Sequence, residues 1–196
     1  MRITGGSARS IALDCPKGDW VRPATDRMRE AVFSSIGDDV QGAVFLDLFA
    51  GAGTYGLEAI SRGASAGVFV EQHRAALKAI EQNLQAVLHS AGREEELEGN
   101  FKITGADVFQ WLARGGAPGL QVDLVFVDPP YREVEARYFG VLEQLTSCFH
   151  PQKGAWILLE SPVLLENFPK GYAVRKQFGR GREDTRAMLL SWLPNR

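Results

Sequence analysis

Short apolar runs alternate with amphipathic helical stretches along almost the whole chain, and this alternation restricts the fold more than any other feature. The runs at 43–48, 67–70, 101–104, 122–127 and 155–159 are nearly continuous in apolar residues, as strands buried on both faces must be. Between them lie helical patterns at about 55–62, around Leu77, Ile80, Leu84, Val87 and Leu88, at 108–113 and near 138–149. Strand followed by helix, repeated, predicts an α/β fold with a mostly parallel sheet covered on both faces. The last two β-like runs, 172–178 and 187–193, have no helix between them and predict an antiparallel hairpin at one edge, seven strands in all. Ahead of the first unit an extended arm turns at Gly5-Gly6 and at Pro16-Lys17-Gly18. It leads to a helix capped by Thr25, running through Met28, Ala31, Val32 and Ile36 to a stop at Gly37.

At 196 residues the chain is expected to form a single domain, 1–196, with 1–40 as an N-terminal extension and 41–196 as the core. No stretch reaches the roughly 18 apolar residues that span a bilayer, and the first residues lack the apolar segment of a signal peptide, so a cytoplasmic protein is expected. Cys15 and Cys148 are far apart and the three histidines are scattered, so no metal site is expected. The net charge of −2 is unevenly spread: six basic residues against two acids lie between Lys170 and Arg186, and six against four in the first thirty residues. A solvated surface accounts for either run alone, but the two together suit a polyanion if the fold brings them to one rim.

In parallel sheets, ligands bind beyond the carboxyl ends of the strands, where connections diverge. The first such end reads Asp47-Leu48-Phe49-Ala50-Gly51-Ala52-Gly53-Thr54-Tyr55-Gly56, a glycine turn that brings backbone N–H groups close to a ligand at a helix start. Phe49 is either a core ring or one that touches the adenine or the target base. Glu71, at the second strand end, is spaced to hold a ribose diol, and up to this point NAD fits as well as S-adenosylmethionine. Three features favour S-adenosylmethionine. Asp47 suits the amino-acid end of that cofactor and would repel a pyrophosphate. Asp107 can accept from an adenine amino group. The fourth strand ends in Asp128-Pro129-Pro130-Tyr131, which places a carboxylate, a carbonyl that the prolines keep out of the sheet ladder and a stacking ring at one point, a site for a planar amine.

The blocks Met1-Arg2-Ile3-x-Gly5-Gly6, Arg22-Pro23-x-Thr25-Asp26-Arg27-x-Arg29-Glu30, Asp47 to Ala59, Phe69-Val70-Glu71 and Asp128-Pro129-Pro130-Tyr131 together resemble the RsmD family of bacterial methyltransferases, in order over most of the chain. The resemblance implies a Rossmann-like class I S-adenosylmethionine-dependent fold, and methylation of the exocyclic N2 of one guanine, position 966, in 16S ribosomal RNA. It further implies a substrate met either as free RNA or within the small ribosomal subunit or its assembly intermediate, no membrane partner and a monomer. Ser10 and Ile11 stand where the family arm continues with glycine and arginine, and His73 where an acid is common.

The residues then take expected roles. Asp128 and the Pro129 carbonyl accept from the amine and aim its nitrogen at the methyl group, Pro130 shapes the turn, and Tyr131 stacks on an extruded base. Asp47, Phe49, Gly51, Gly53, Glu71, Asp107 and Thr25 surround the cofactor. Arg2, Arg9, Arg22, Arg29, Arg180 and Arg182 are expected to face RNA, although Asp26 and Arg29 also fit a simple i, i+3 pair. Rival readings are an amino-methyltransferase acting on DNA adenine, cytosine or another RNA base, an RNA-binding module with a vestigial cofactor site, and an NAD-dependent oxidoreductase.

Overall fold

The computed structural model describes residues 1–16, 25–97, 99–129, 135–149, 154–161, 165, 168–179 and 186–193. Arg22, Pro130, Tyr131, Arg180 and Arg182 therefore lie outside the described residues. Helix α1 (Asp26–Ile36) precedes β1 (Val44–Leu48), α2 (Thr54–Ser61), β2 (Ala66–Glu71), α3 (Arg74–Ala91), β3 (Phe101–Gly105), α4 (Val108–Ala113), β4 (Leu124–Val127), α5 (Glu135–Cys148), β5 (Ala155–Ser161), β6 (Tyr172–Phe178) and β7 (Arg186–Trp192). The sheet runs β3-β2-β1-β4-β5-β7-β6, parallel from β3 to β5 and antiparallel at β5-β7 and β7-β6. This is the mostly parallel seven-stranded sheet with an antiparallel edge hairpin of the Rossmann-like class I methyltransferases. Among the described residues no helix is long and apolar enough to cross a membrane.

Because side chains alternate across a strand, each strand feeds two cores. Phe45, Phe69, Phe126 and Leu158 face α1, α2 and α3. Leu48, Val70, Val127 and Leu159 face α4 and α5. Helix α2 is buried along its whole length. It can lie so close to the sheet because Gly56 has no side chain: a Cβ there would stand 2.4 Å from the Phe69 ring and 2.7 Å from that of Phe45.

Two details differ from expectation. Strand β4 starts at Leu124, not at 122, since Asp123 uses its backbone and side chain to close the strand's entry: its N–H donates to Val44 O, and its Oδ2 accepts from Val44 N at 2.9 Å. The N-terminal arm is folded back instead of extended. Ile3 N–H donates to Ile11 O and Ser10 N–H to Ile3 O, with Ile3, Ala8 and Leu13 buried in the first core. A fully buried carboxylate, Glu58 of α2, pins the turn by accepting from Thr4 N, Thr4 Oγ1 and Gly5 N at 2.6–2.9 Å.

Candidate active site

The chain connections diverge at β1, whose neighbours β2 and β4 are reached from opposite directions, so a crevice opens beyond the carboxyl ends of β1 and β4. Strand parity decides what lines it. Asp47 and Glu71 share a face with Phe45 and Phe69, Asp128 follows Val127 as β4 ends, and Glu160 sits one residue beyond Leu159, the partner of Val127. Four acids from four adjacent strands thus converge beside α2.

Two of them organise the glycine turn. Glu71 accepts three backbone N–H groups: Gly51 on Oε2 at 2.9 Å, and Gln72 and His73 on Oε1 at 2.8 Å each. It thereby ties the turn after β1 to the end of β2. Asp47 accepts from Gly56 N at 2.9 Å and is only 3% exposed. Burial lifts its carboxyl from an ordinary 3.8 to about 8; the Gly56 N–H opposes the rise and the charge of Glu71 adds to it. The turn itself holds Phe49, Gly51 and Gly53 at left-handed φ of 57°, 55° and 78°. The strain at the non-glycine Phe49 is held by the next residue, Ala50, whose N–H donates to Val70 O. Asn83 of α3 braces the turn from behind, donating from Nδ2 to Ala52 O at 3.1 Å and to Asp14 O at 2.9 Å.

The other two acids take fewer donors than Glu71 among the described residues. Asp128 is half-buried, and its carboxyl is pushed well above the carboxylate range, first by burial, then by the charges of Glu160 and Asp47. Glu160 is 2% exposed. Burial raises it to about 7 against the lowering effect of the Tyr55 hydroxyl, which donates to Oε1, and of Arg29. The Tyr55 ring is fixed by stacking on Phe126, centroids 5.3 Å apart and 17° between planes. The crevice therefore concentrates carboxyl groups that the interior leaves largely uncompensated, a setting that stabilises a bound cation.

Phe49 is half-buried and meets Phe109 of α4 edge to face at 5.5 Å, two rings at the rim between the glycine turn and α4. Asp107 caps α4, accepting from Gln110 N on Oδ1 at 2.9 Å. Thr25 caps α1 in the same way, with Met28 N at 3.2 Å.

The basic residues separate. Arg2 and Arg9 are exposed, Arg2 loosely paired with Asp26 at 3.6 Å. Arg29, expected to face RNA, is instead fully buried: it donates to Arg2 O at 2.6 Å and Asp26 Oδ1 at 2.7 Å and lies 3.8 Å from Glu58. With no exposed surface it has no direct RNA contact to make; it belongs to the clamp that holds the arm on α1 and α2. Residues the sequence reading passed over are Tyr55, Glu58 and Asn83. Glu58 carried one visible signal, an acid between Leu57 and Ala59 in an otherwise apolar helix.

Comparison with known proteins agrees with this architecture. The family model described as Conserved hypothetical protein 95 matches residues 1–185. Ribosomal RNA small subunit methyltransferase D of Escherichia coli (strain K12) is 33% identical over 167 residues, 85% of this chain and 74% of that protein. A putative rRNA methyltransferase of Bacillus subtilis (strain 168), YlbH, is 32% identical over 133 residues, 68% of each chain. Among solved structures, the putative methyltransferase yhhF from Escherichia coli superposes with a TM-score of 0.80 at 29% identity, covering 98% of this chain and 97% of that one. The acid-lined crevice, the glycine turn and the shared architecture all lead to one family: the chain belongs to the RsmD family.

Proposed function

We propose that the protein is a cytoplasmic methyltransferase that moves a methyl group from S-adenosylmethionine to the exocyclic N2 of a guanine, position 966, in 16S rRNA, met as free RNA or within the small subunit or its assembly intermediate. The observation that carries this reading is the half-buried Asp128, at the end of β4 beside three further acids on neighbouring strands. A cofactor with a sulfonium and an ammonium group suits that donor set, since each positive charge relieves carboxyl groups that the fold leaves short of partners. When bound, this cofactor supplies an electrophilic methyl group.

The residues then divide the work. Glu71 and Asp47 hold the glycine turn in shape, and Glu71, which takes a single donor on Oε2, has capacity left for a ribose hydroxyl. Phe49 and Phe109 form an apolar edge for a flat base, with Asp107 beside them for its amino group. Asp128 and the Pro129 carbonyl accept the two N–H groups of the guanine amine and turn its lone pair toward the methyl carbon. An aromatic amine is a poor nucleophile, so positioning and electrostatics are the main contributions, and the proton leaves after transfer. Tyr131 stacks on the extruded base, and Arg2, Arg9, Arg22, Arg180 and Arg182 meet phosphates of the RNA.

Mass mapping of methylated nucleotides in 16S rRNA, isolated from cells lacking the gene and then treated with the purified protein, tests the reading. One new methyl group on N2 of guanine 966 is expected. Methyl groups on adenine, on cytosine or on DNA alone would overturn it.

A further inference from the structure

Glu160 lies in the site without a part in the mechanism above. It occupies β5 one residue past Leu159, which pairs with Val127, and Asp128 is one residue past Val127. Neighbouring strands lie about 4.8 Å apart, so the two carboxyl groups leave adjacent strands side by side on the face that carries Phe126 and Leu158. Glu160 is buried while Asp128 is partly open. Tyr55, stacked on Phe126, donates its hydroxyl to Glu160 Oε1. The charged or titratable groups facing the pair from the surrounding elements are Arg29 on α1, Tyr55 on α2 and Asp47 on β1.

We propose that Asp128 and Glu160 act as one carboxyl pair holding a single proton between them, with Tyr55 fixing Glu160 in place. Two carboxyl groups at adjacent positions of neighbouring strands in a poorly hydrated site do not both ionise readily. In the free protein the proton rests on Asp128, because Glu160 has the Tyr55 hydroxyl and Arg29 to favour its charged form and no described residue gives Asp128 comparable help. Docking of the amine moves that proton to Glu160, so that both oxygens of Asp128 are free to accept. The proton shed by the nitrogen, once the nitrogen has bonded the methyl carbon and the old carbon–sulfur pair has stayed on sulfur, returns through Asp128 to the pair and from there to water. Glu160 is thus a positioning residue, acting on the substrate through Asp128. The part played during turnover rests on the proposed role of Asp128 as acceptor of the amine; the shared proton does not.

Full-length protein labelled with 13C at the aspartate carboxyl carbons, titrated by NMR without cofactor or RNA, reads the pair directly, with Asp128→Asn assigning the signal. Glu160→Gln removes the neighbouring negative charge and should lower the Asp128 titration by about one pH unit or more. Tyr55→Phe, which takes away the donor to Glu160 and leaves the proton there, should lower it by less. The acid limb of single-turnover methylation of 16S rRNA should shift in the same direction in both variants, a change that a purely structural role for Glu160 would not produce. An Asp128 titration unmoved in folded Glu160→Gln, or in Tyr55→Phe if the first variant does not fold, overturns the pair. If the carboxyl titration moves while the acid limb of methylation stays in place, the pair stands and Asp128 is not the acceptor of the amine.

Discussion

Two groups of acids are buried against α2, and they are treated in opposite ways. On the side of the N-terminal arm, Glu58 is fully enclosed and accepts from Thr4 N, Thr4 Oγ1, Gly5 N and Arg62 Nε, with Arg29 at 3.8 Å. Four donors reach it and its charge is balanced from within the chain. On the crevice side, the described residues give Asp47 one backbone donor and Glu160 one hydroxyl; burial raises the carboxyl groups of Asp47, Asp128 and Glu160, and neighbouring acids add to the rise at Asp47 and Asp128. A buried acid supplied by its own fold is a joint, whereas one left short of donors and cations is a site awaiting them from a ligand. The same helix joins the two: Tyr55 and Gly56 face the crevice, and Glu58 and Arg62 face the arm.

Breaking the joint should have the largest effect on the fold. Glu58→Ala leaves Arg29 buried beside no carboxylate from α2 and frees Thr4 and Gly5, which should cost about 3–5 kcal/mol, read as a lower midpoint in urea unfolding. Undiminished stability would mean that the arm docks through its apolar residues alone. On the crevice side the effect should fall on chemistry instead. Asp128→Ala should keep the stability and lower the single-turnover rate on 16S rRNA about 10²–10³-fold, with RNA and cofactor affinities little changed. Asp128→Asn keeps an acceptor oxygen and should retain more activity than Ala. Wild-type rates in both would reduce the Asp-Pro-Pro turn to architecture.

The crevice was largely legible in the sequence and the joint was not. Every strand that carries a crevice acid could be read from its apolar run; Glu71, Asp128 and Glu160 directly follow theirs and Asp47 sits one residue before the end of its own, so their convergence needed only a parallel sheet. Arg29 shows where such reading ends. Its spacing from Asp26 suggested a surface pair, and that pair exists, but the burial of the guanidinium depends on Glu58 and on the carbonyl of Arg2, brought in by the folded arm. Nothing local announces partners 27 or 29 positions away. The turn at Gly5-Gly6 was expected, but the docking of the arm was not, for a similar reason: beside the few bonds the arm makes with itself, its turn is held by Glu58 and Ser61 of α2, more than fifty positions away. Glu160 directly follows the apolar run at 155–159, but its place beside Asp128 appears only once β5 is known to lie beside β4.

The contrast also has a signature in pH. Asp47, with a folded value of about 8 against an ordinary 3.8, and Glu160, at about 7 against 4.5, are both raised on folding. Their neutral forms fit the interior, so the stability associated with them is fully present below about pH 4 and is lost as pH rises through 7 to 8. The cofactor-free protein should therefore unfold more easily at pH 8 than at pH 5, by on the order of 1–3 kcal/mol once relaxation of the site is allowed for. Asp47→Asn retains an oxygen for the Gly56 N–H and cannot ionise, so it should flatten that slope; an unaltered slope would place the titration elsewhere.

The smallest expected effect separates exposed cations from the buried one. Arg2 and Arg9 stand in solvent on the docked arm, while Arg29 is enclosed beneath it. If the arm presents the first two to phosphates, Arg2→Ala with Arg9→Ala should weaken binding of 16S rRNA modestly and reduce the slope of log affinity against log salt by about one unit for each phosphate no longer neutralised. Unfolding midpoint and cofactor affinity should not change, because neither exposed side chain supports the core. Asp26 complicates only Arg2, and weakly, since an exposed ion pair at 3.6 Å is worth about 0–1 kcal/mol. An unchanged salt slope in a fully folded double variant would show that the arm's exposed arginines do not reach the RNA, and that its contribution is the joint at Glu58 alone.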